Sequence, residues 1–197
     1  MSAEFDTSRQ AEARRRSLLE AHFYPGRVEP YIVADGWRFG SSRLQSEFKI
    51  DAVGRFKGHC VCIEEKFDTH SKTGNLCLET HSHLENSPET LAGDGWMSKY
   101  GDGRPVCRAD WLVYAFVESD ARLTVWVYHL PRLRDWFLGN LDNYPFSDKP
   151  NPGYTTRSRI VPLANVPKNC VIYESVAVPG TQILDDEWAD PFPDWNP

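Results

Sequence analysis

No apolar run in this 197-residue chain approaches the roughly 20 residues that a membrane-crossing helix requires. The N-terminal stretch MSAEFDTSRQAEARRR lacks the apolar core of a signal peptide, so a cytoplasmic protein is expected. Cys-x-x-Cys is absent, which removes the usual zinc spacing. His81-Ser82-His83 is the nearest substitute, in a polar stretch without evident partners. The five cysteines are an odd number, and Cys60 and Cys62 share one face of one strand, a poor position for bridging. They read as small hydrophobes in a reducing compartment. Internal repeats and a glycine-rich phosphate loop are also missing. Positive charge is in deficit: a net charge of −6 and a pI near 5.5 argue against a protein that coats nucleic acid non-specifically.

What is present is the composition of a globular protein, 41% hydrophobic and 25% charged, with enough length for one full core and too little for two. One domain over residues 1–178 is expected, followed by an acidic Trp/Pro-rich tail over residues 179–197. That tail sets Trp188, Phe192 and Trp195 among Asp and Pro, so it reads as a strip folded on its own domain or as a peptide for a protein partner or the basic cleft. Charge is polarised along the chain. Arg14-Arg15-Arg16 stands early, and Arg27, Arg38, Arg43, Lys49, Arg55 and Lys57 precede or flank Asp51, while acids gather at the C-terminal end.

Residues 7–23 read as an amphipathic helix with Leu18, Leu19 and Phe23 on its apolar side, ended by Pro25-Gly26. Its arginine triplet is a solvated face or, through Arg14 and Arg15, a phosphate contact. Short strands are expected at 31–34, 48–56 and 76–79. Nearly continuous apolar runs at 111–117 and 123–128 belong in the middle of a covered sheet. Pro131 opens a helix over 132–138, closed by Gly139. The stretch 140–154 reads as loop, and 157–163 and 171–173 as late strands. The polar segment 81–108 is long for a loop; Trp96, Lys99, Tyr100 and Arg104 within it suit stacking and phosphate contact with an unpaired strand, or Trp96 simply anchors it.

The most informative segment is 58–67 (GHCVCIEEKF), preceded by Lys49-Ile50-Asp51. Val61 and Ile63 mark a strand, and in a strand alternate side chains share a face. Glu64 and Lys66 therefore point one way and Glu65 the other. A hairpin brings Asp51 beside them. Two carboxylates at close range can hold a divalent cation, and a lysine beside it can orient a water: the apparatus of a metal-dependent phosphodiesterase. Asp51 and Glu64, with the main-chain carbonyl of Glu65, are the expected ligands of one or two ions. Oxygen ligands suit Mg2+ or Mn2+ rather than zinc. Asp68 continues the face of Lys66 and is expected to support it; Glu79 is either a third metal-facing acid or a solvated one. The competing reading makes Glu64-Glu65-Lys66 the charged edge of a strand, paired across to Arg55 or Lys57.

Asp51 followed by Glu64-Glu65-Lys66 resembles the Asp…(Asp/Glu)-x-Lys pattern of the restriction-endonuclease-like nuclease superfamily. The run Glu64-Glu65-Lys66-Phe67-Asp68, a polar turn, Thr73-Gly74-Asn75-Leu76-Cys77-Leu78-Glu79 and then Ala109-Asp110-Trp111 is similar to small phage and bacterial members of it. The resemblance covers about residues 45–135. It implies an α/β single domain with a central mixed β-sheet flanked by helices, and a DNA endonuclease with Asp51, Glu64 and Lys66 as its catalytic set. It implies a prokaryotic or phage-infected host cell, a possible homodimer, and an acid from the first helix, Glu12 or Glu20, near the metal. Arg14, Arg15, Lys72, Asn75 and Lys99 are the expected DNA contacts. Two other readings stand beside it: an inert nuclease-fold binding module, and an acidic inhibitor or interaction protein.

Overall fold

The apolar run at Trp111–Ser119 is strand β5, buried on both faces from Trp111 to Val117. Side-chain alternation sends Leu112, Tyr114 and Phe116 into one core and Trp111, Val113 and Ala115 into another. The computed structural model describes residues 3–29, 32–33, 42–86 and 93–179. Helix α1 (Ala3–Leu18) runs into a π-helical turn (Leu19–Phe23), followed by β1 (Ile32–Val33), α2 (Ser42–Phe48), β2 (Ala52–Phe56), β3 (His59–Asp68) and β4 (Asn75–His81). After β5 come β6 (Arg122–His129), α3 (Leu130–Leu138), β7 (Phe146–Asn151), β8 (Tyr154–Pro162) and β9 (Val171–Val178).

The main sheet has six strands in the order β1-β2-β3-β5-β6-β9. Only β3 and β5 run parallel among these pairs, with Glu64 opposite Leu112 and Lys66 opposite Tyr114. Parallel neighbours need a crossover rather than a hairpin, and here the crossover carries β4. The expected α/β class and mixed sheet are present. One face of the sheet is covered by the end of α1, where Leu19, Phe23 and Tyr24 meet Val61, Ile63 and Val113. The other face was expected to carry helices. It is covered by α3 together with a second, antiparallel sheet, β4-β8-β7, whose Leu76, Leu78 and Val161 pack with Leu133 and Phe137.

Three local expectations differ from the structure. Residues 140–154 contain an edge strand, β7, paired to β8 from Phe146–Arg159 to Asn151–Tyr154. Its residues are almost wholly exposed, so no apolar alternation betrays it, and Pro150 is tolerated because edge strands leave N–H groups unpaired. The segment 48–56 is not one strand: Phe48 ends α2, Lys49 takes φ 51°, and β2 starts at Ala52 and passes through Gly54 unbroken. Residues 93–98 are tucked in, with Trp96 and Met97 buried, whereas residues 99–104 are exposed. A Cβ on Gly95 would stand 2.5 Å from the Thr80 carbonyl carbon, an approach that only glycine permits. Among the described residues, no helix is long and apolar enough to cross a membrane. The tail beyond Pro179 and the arginine at 38 lie outside the described residues.

Candidate functional site

Strand β3 lies between β2 and β5, but β2 pairs only as far as Ile63, and beyond it Glu64-Glu65-Lys66 is laddered to β5 alone. Glu64 and Glu65 are buried there rather than forming a solvated edge. Arg55 instead donates to the Gly58 carbonyl at 3.1 Å, and Lys57 sits 5.4 Å over the Phe56 ring. The β2–β3 pairing carries Asp51 to the middle of β3: its N–H donates to the Ile63 carbonyl at 2.8 Å, and its Oδ2 accepts from the Glu65 N–H at 2.9 Å. Gln45 of α2 donates to Oδ1 at 3.3 Å. Asp51 is thereby clamped from three sides, although it belongs to no strand.

Glu64 and Lys66 share a face, as the alternation predicts. Lys66 Nζ lies 2.6 Å from Glu64 Oε1 and 5.3 Å over the Trp96 ring. Glu64 is 4% exposed, whereas a third of the Lys66 side chain is open. Burial pushes the Glu64 carboxyl up to about 8; Lys66 pulls it back, and Asp51, within hydrogen-bonding reach, pushes it further. Burial pulls the Lys66 ammonium down, but Glu64, Glu79 and Asp51 outweigh it and hold Lys66 above the usual lysine range. Glu79 on β4 therefore borders the site. Its Oε1 accepts from Ser82 Oγ at 2.6 Å.

Glu65 points to the opposite face. Its carboxylate accepts from Arg16 Nε at 2.6 Å and from Tyr24 Oη at 2.7 Å, fully removed from solvent. Only its main chain can face a cation beside Asp51 and Glu64. Of the arginine triplet, Arg16 reaches inward, with Nη2 also 3.8 Å from Asp51 Oδ1 and from Glu12 Oε1. Arg14 is exposed and Arg15 half-buried. Glu12 thus approaches the site through Arg16, whereas Glu20 is exposed on the π-helical turn.

The remaining expected residues spread out. Asp68 does not serve Lys66: its Oδ2 accepts from Tyr114 Oη at 2.5 Å and its Oδ1 from the His70 N–H at 2.7 Å. Lys72 is exposed in a short 3-10 turn, and Asn75 opens β4 opposite Pro162. Lys99 pairs with Asp135 at 2.7 Å, and Arg104 with Asp102 at 2.6 Å. Trp96 is 3% exposed; it floors Lys66 and offers no face to a base. Asp110 is structural, with Oδ2 accepting from the Cys62 N–H at 2.8 Å. All five cysteines are free. Arg16 stood in the sequence only as part of a charged triplet, and Tyr24 and Gln45 carried no signal at all.

The donors that could hold a cation are all oxygen: the carboxylates of Asp51 and Glu64, and the Glu65 carbonyl. An all-oxygen set suits Mg2+ or Mn2+, which keep much of their hydration shell. Burial and the neighbouring Asp51 disfavour the ionised form of Glu64, so this is a place where positive charge is wanted. Among the described residues, no group of three or more His, Cys, Asp and Glu side chains could hold a metal. No protein-family model, curated protein or solved structure matches this chain, so the site is read from its own residues.

Proposed function

We propose that this chain is a Mg2+- or Mn2+-dependent nuclease of restriction-endonuclease-like fold, cutting DNA at the centre of β3. The reading rests on one observation: Asp51 and Glu64 converge, with Lys66 Nζ 2.6 Å from Glu64, on a buried interior strand of a mixed sheet. Asp51, Glu64 and the Glu65 carbonyl would hold the ion, which lowers the pKa of a bound water and shields charge on the scissile phosphate. Lys66 keeps its proton, so it acts as an electrostatic partner of the attacking water or the phosphate rather than as a base. Glu79 keeps Lys66 charged from the other side. The Arg16–Glu65–Tyr24 cluster pins the reverse face of the strand, holding the Glu65 main chain in register.

The test is cleavage of labelled single-stranded, duplex, flap and four-way-junction DNA with Mg2+ or Mn2+. Wild type is expected to cut at least one of them, and Lys66→Ala to lose about 100-fold or more, the scale of removing one charge stabiliser. Equal cleavage by Lys66→Ala overturns the assignment.

A second reading is an inert nuclease-fold binding module. The direct Glu64–Lys66 ion pair favours it, since it satisfies part of the charge that a metal would otherwise meet. No cleavage by any form, with no Mg2+ binding by calorimetry, selects it. The same result from a chain that binds a basic protein tightly selects the acidic interaction protein instead. Homodimerisation and a partner for residues 179–197 remain part of the proposal and are read from sedimentation of the full chain.

A further inference from the structure

Away from the carboxylates, the segment 99–110 and the start of α3 enclose a cavity of about 520 Å3, within the range of small-molecule sites. Its walls carry Lys99, Arg104, Arg108 and Arg134 against Asp110 and Asp135. Lys99 is paired with Asp135 and Arg104 with Asp102, and Asp110 accepts from the Cys62 N–H, which leaves Arg108 and Arg134 as the cations with no bonded carboxylate among the described residues. Arg134 is the unusual member. It is 2% exposed, yet among the described residues it has no carboxylate partner. Its hydrogen bonds run only from Nη2, to the carbonyls of Cys107 at 2.7 Å and Trp96 at 3.4 Å, and its Nε is buried without any partner. A buried guanidinium with no carboxylate bonded to it is costly. Burial pulls its pKa down, and the charges of Cys107, Asp135 and Glu64 offset that only in part. Arg108 is exposed at the same cavity, its guanidinium 4.5 Å over the Phe48 ring. Pro131, in the first turn of α3, completes the wall.

We propose that this cavity binds a phosphate monoester, with Arg134 at its base, Arg108 beside it, and Arg104 and Lys99 at the rim. A planar guanidinium fork matches phosphate oxygens, and a dianion supplies the directly bonded anion that Arg134 lacks among the described residues. Two sources carry this chemistry, a free nucleotide and the 5′-phosphate at the end of a strand. The site is distinct from the carboxylates of β3 and does not depend on metal there.

The experiment is calorimetric titration of the full chain in EDTA with inorganic phosphate, dAMP, and one short oligonucleotide carrying either a 5′-phosphate or a 5′-hydroxyl. Saturable phosphate binding is expected, weakened about tenfold or more by Arg134→Met. Arg108→Glu, at an exposed position, is expected to weaken it as well and carries the test if Arg134→Met does not fold. Preference for the phosphorylated end over its hydroxyl twin identifies a strand end as the ligand. Equal affinity for dAMP and the phosphorylated strand identifies a free nucleotide. Absence of saturable phosphate binding, or binding that a folded Arg134→Met or Arg108→Glu leaves unchanged, overturns the proposal. Because EDTA removes the nuclease reaction, failure here and failure of the nuclease reading are separate results.

Discussion

Replacing Glu64 by Gln probes its raised carboxyl directly. Burial, opposed by Lys66 and reinforced by Asp51, raises the Glu64 carboxyl from an ordinary 4.5 to about 8. Between those values the folded chain holds a proton that the unfolded chain has released, so stability falls as pH rises through this window. At about 1.36 kcal/mol per pH unit, the full loss is roughly 5 kcal/mol as an upper bound. The attraction of Lys66 is already included in that figure. Gln keeps the size and hydrogen-bonding capacity of the protonated acid but cannot ionise. Urea unfolding in EDTA at pH 5, 6, 7 and 8.5 should therefore find Glu64→Gln close to wild type at pH 5 and increasingly more stable than it above pH 6. Because Asp51 helps to raise the Glu64 carboxyl, Asp51→Asn should narrow the same part of the curve. Parallel pH profiles for wild type and Glu64→Gln would refute the argument, because they would mean that Glu64 holds no extra proton in the folded chain.

The site's supports give further outcomes. Arg16→Met removes the guanidinium from the fully buried Glu65 carboxylate and should cost about 3–5 kcal/mol in denaturant unfolding; a loss below about 1 kcal/mol would show that the pair is not buried in solution. Gly95→Ala places a methyl 2.5 Å from the Thr80 carbonyl carbon and 2.6 Å from the Glu79 oxygen, and should lower stability by about 1–3 kcal/mol, loosening Trp96 beneath Lys66. Mg2+ should raise the melting temperature of wild type more at pH 8.5 than at pH 6, because below about 8 it must displace the proton held by Glu64. Asp51→Ala should remove that response, and a pH-independent response would place the ion elsewhere.

The π-helical turn at Leu19–Phe23 shows how the reverse face of the site is built. The extra residue in the turn lets Leu19 and Phe23 bury on the sheet and Tyr24 follow them inward, with its hydroxyl on Glu65. The helix is thus keyed to β3 at two points, Arg16 and Tyr24. Both hold an acid that the neighbouring carboxylates would otherwise repel.

The alternation of β3 by itself determined that Glu64 and Lys66 share a face and that Glu65 opposes them, because side-chain direction along an extended strand follows from covalent geometry. The short connection at Lys57-Gly58 likewise made a hairpin that carries Asp51 beside them. Continuous apolar composition located β5 and β6, and Pro131 and Gly139 bracketed α3. Tertiary structure alone decided that Arg16, rather than Arg14 or Arg15, enters the site, since its partner Glu65 is 49 residues away. It also decided that Trp96 lies under Lys66, that β7 forms from exposed residues paired to β8, and that Arg134 is buried against a cationic cavity. Local patterns record which way a side chain faces. They do not record what the crossover between β3 and β5 brings to meet it, and it is that meeting which sets burial, charge and the chemistry of the site.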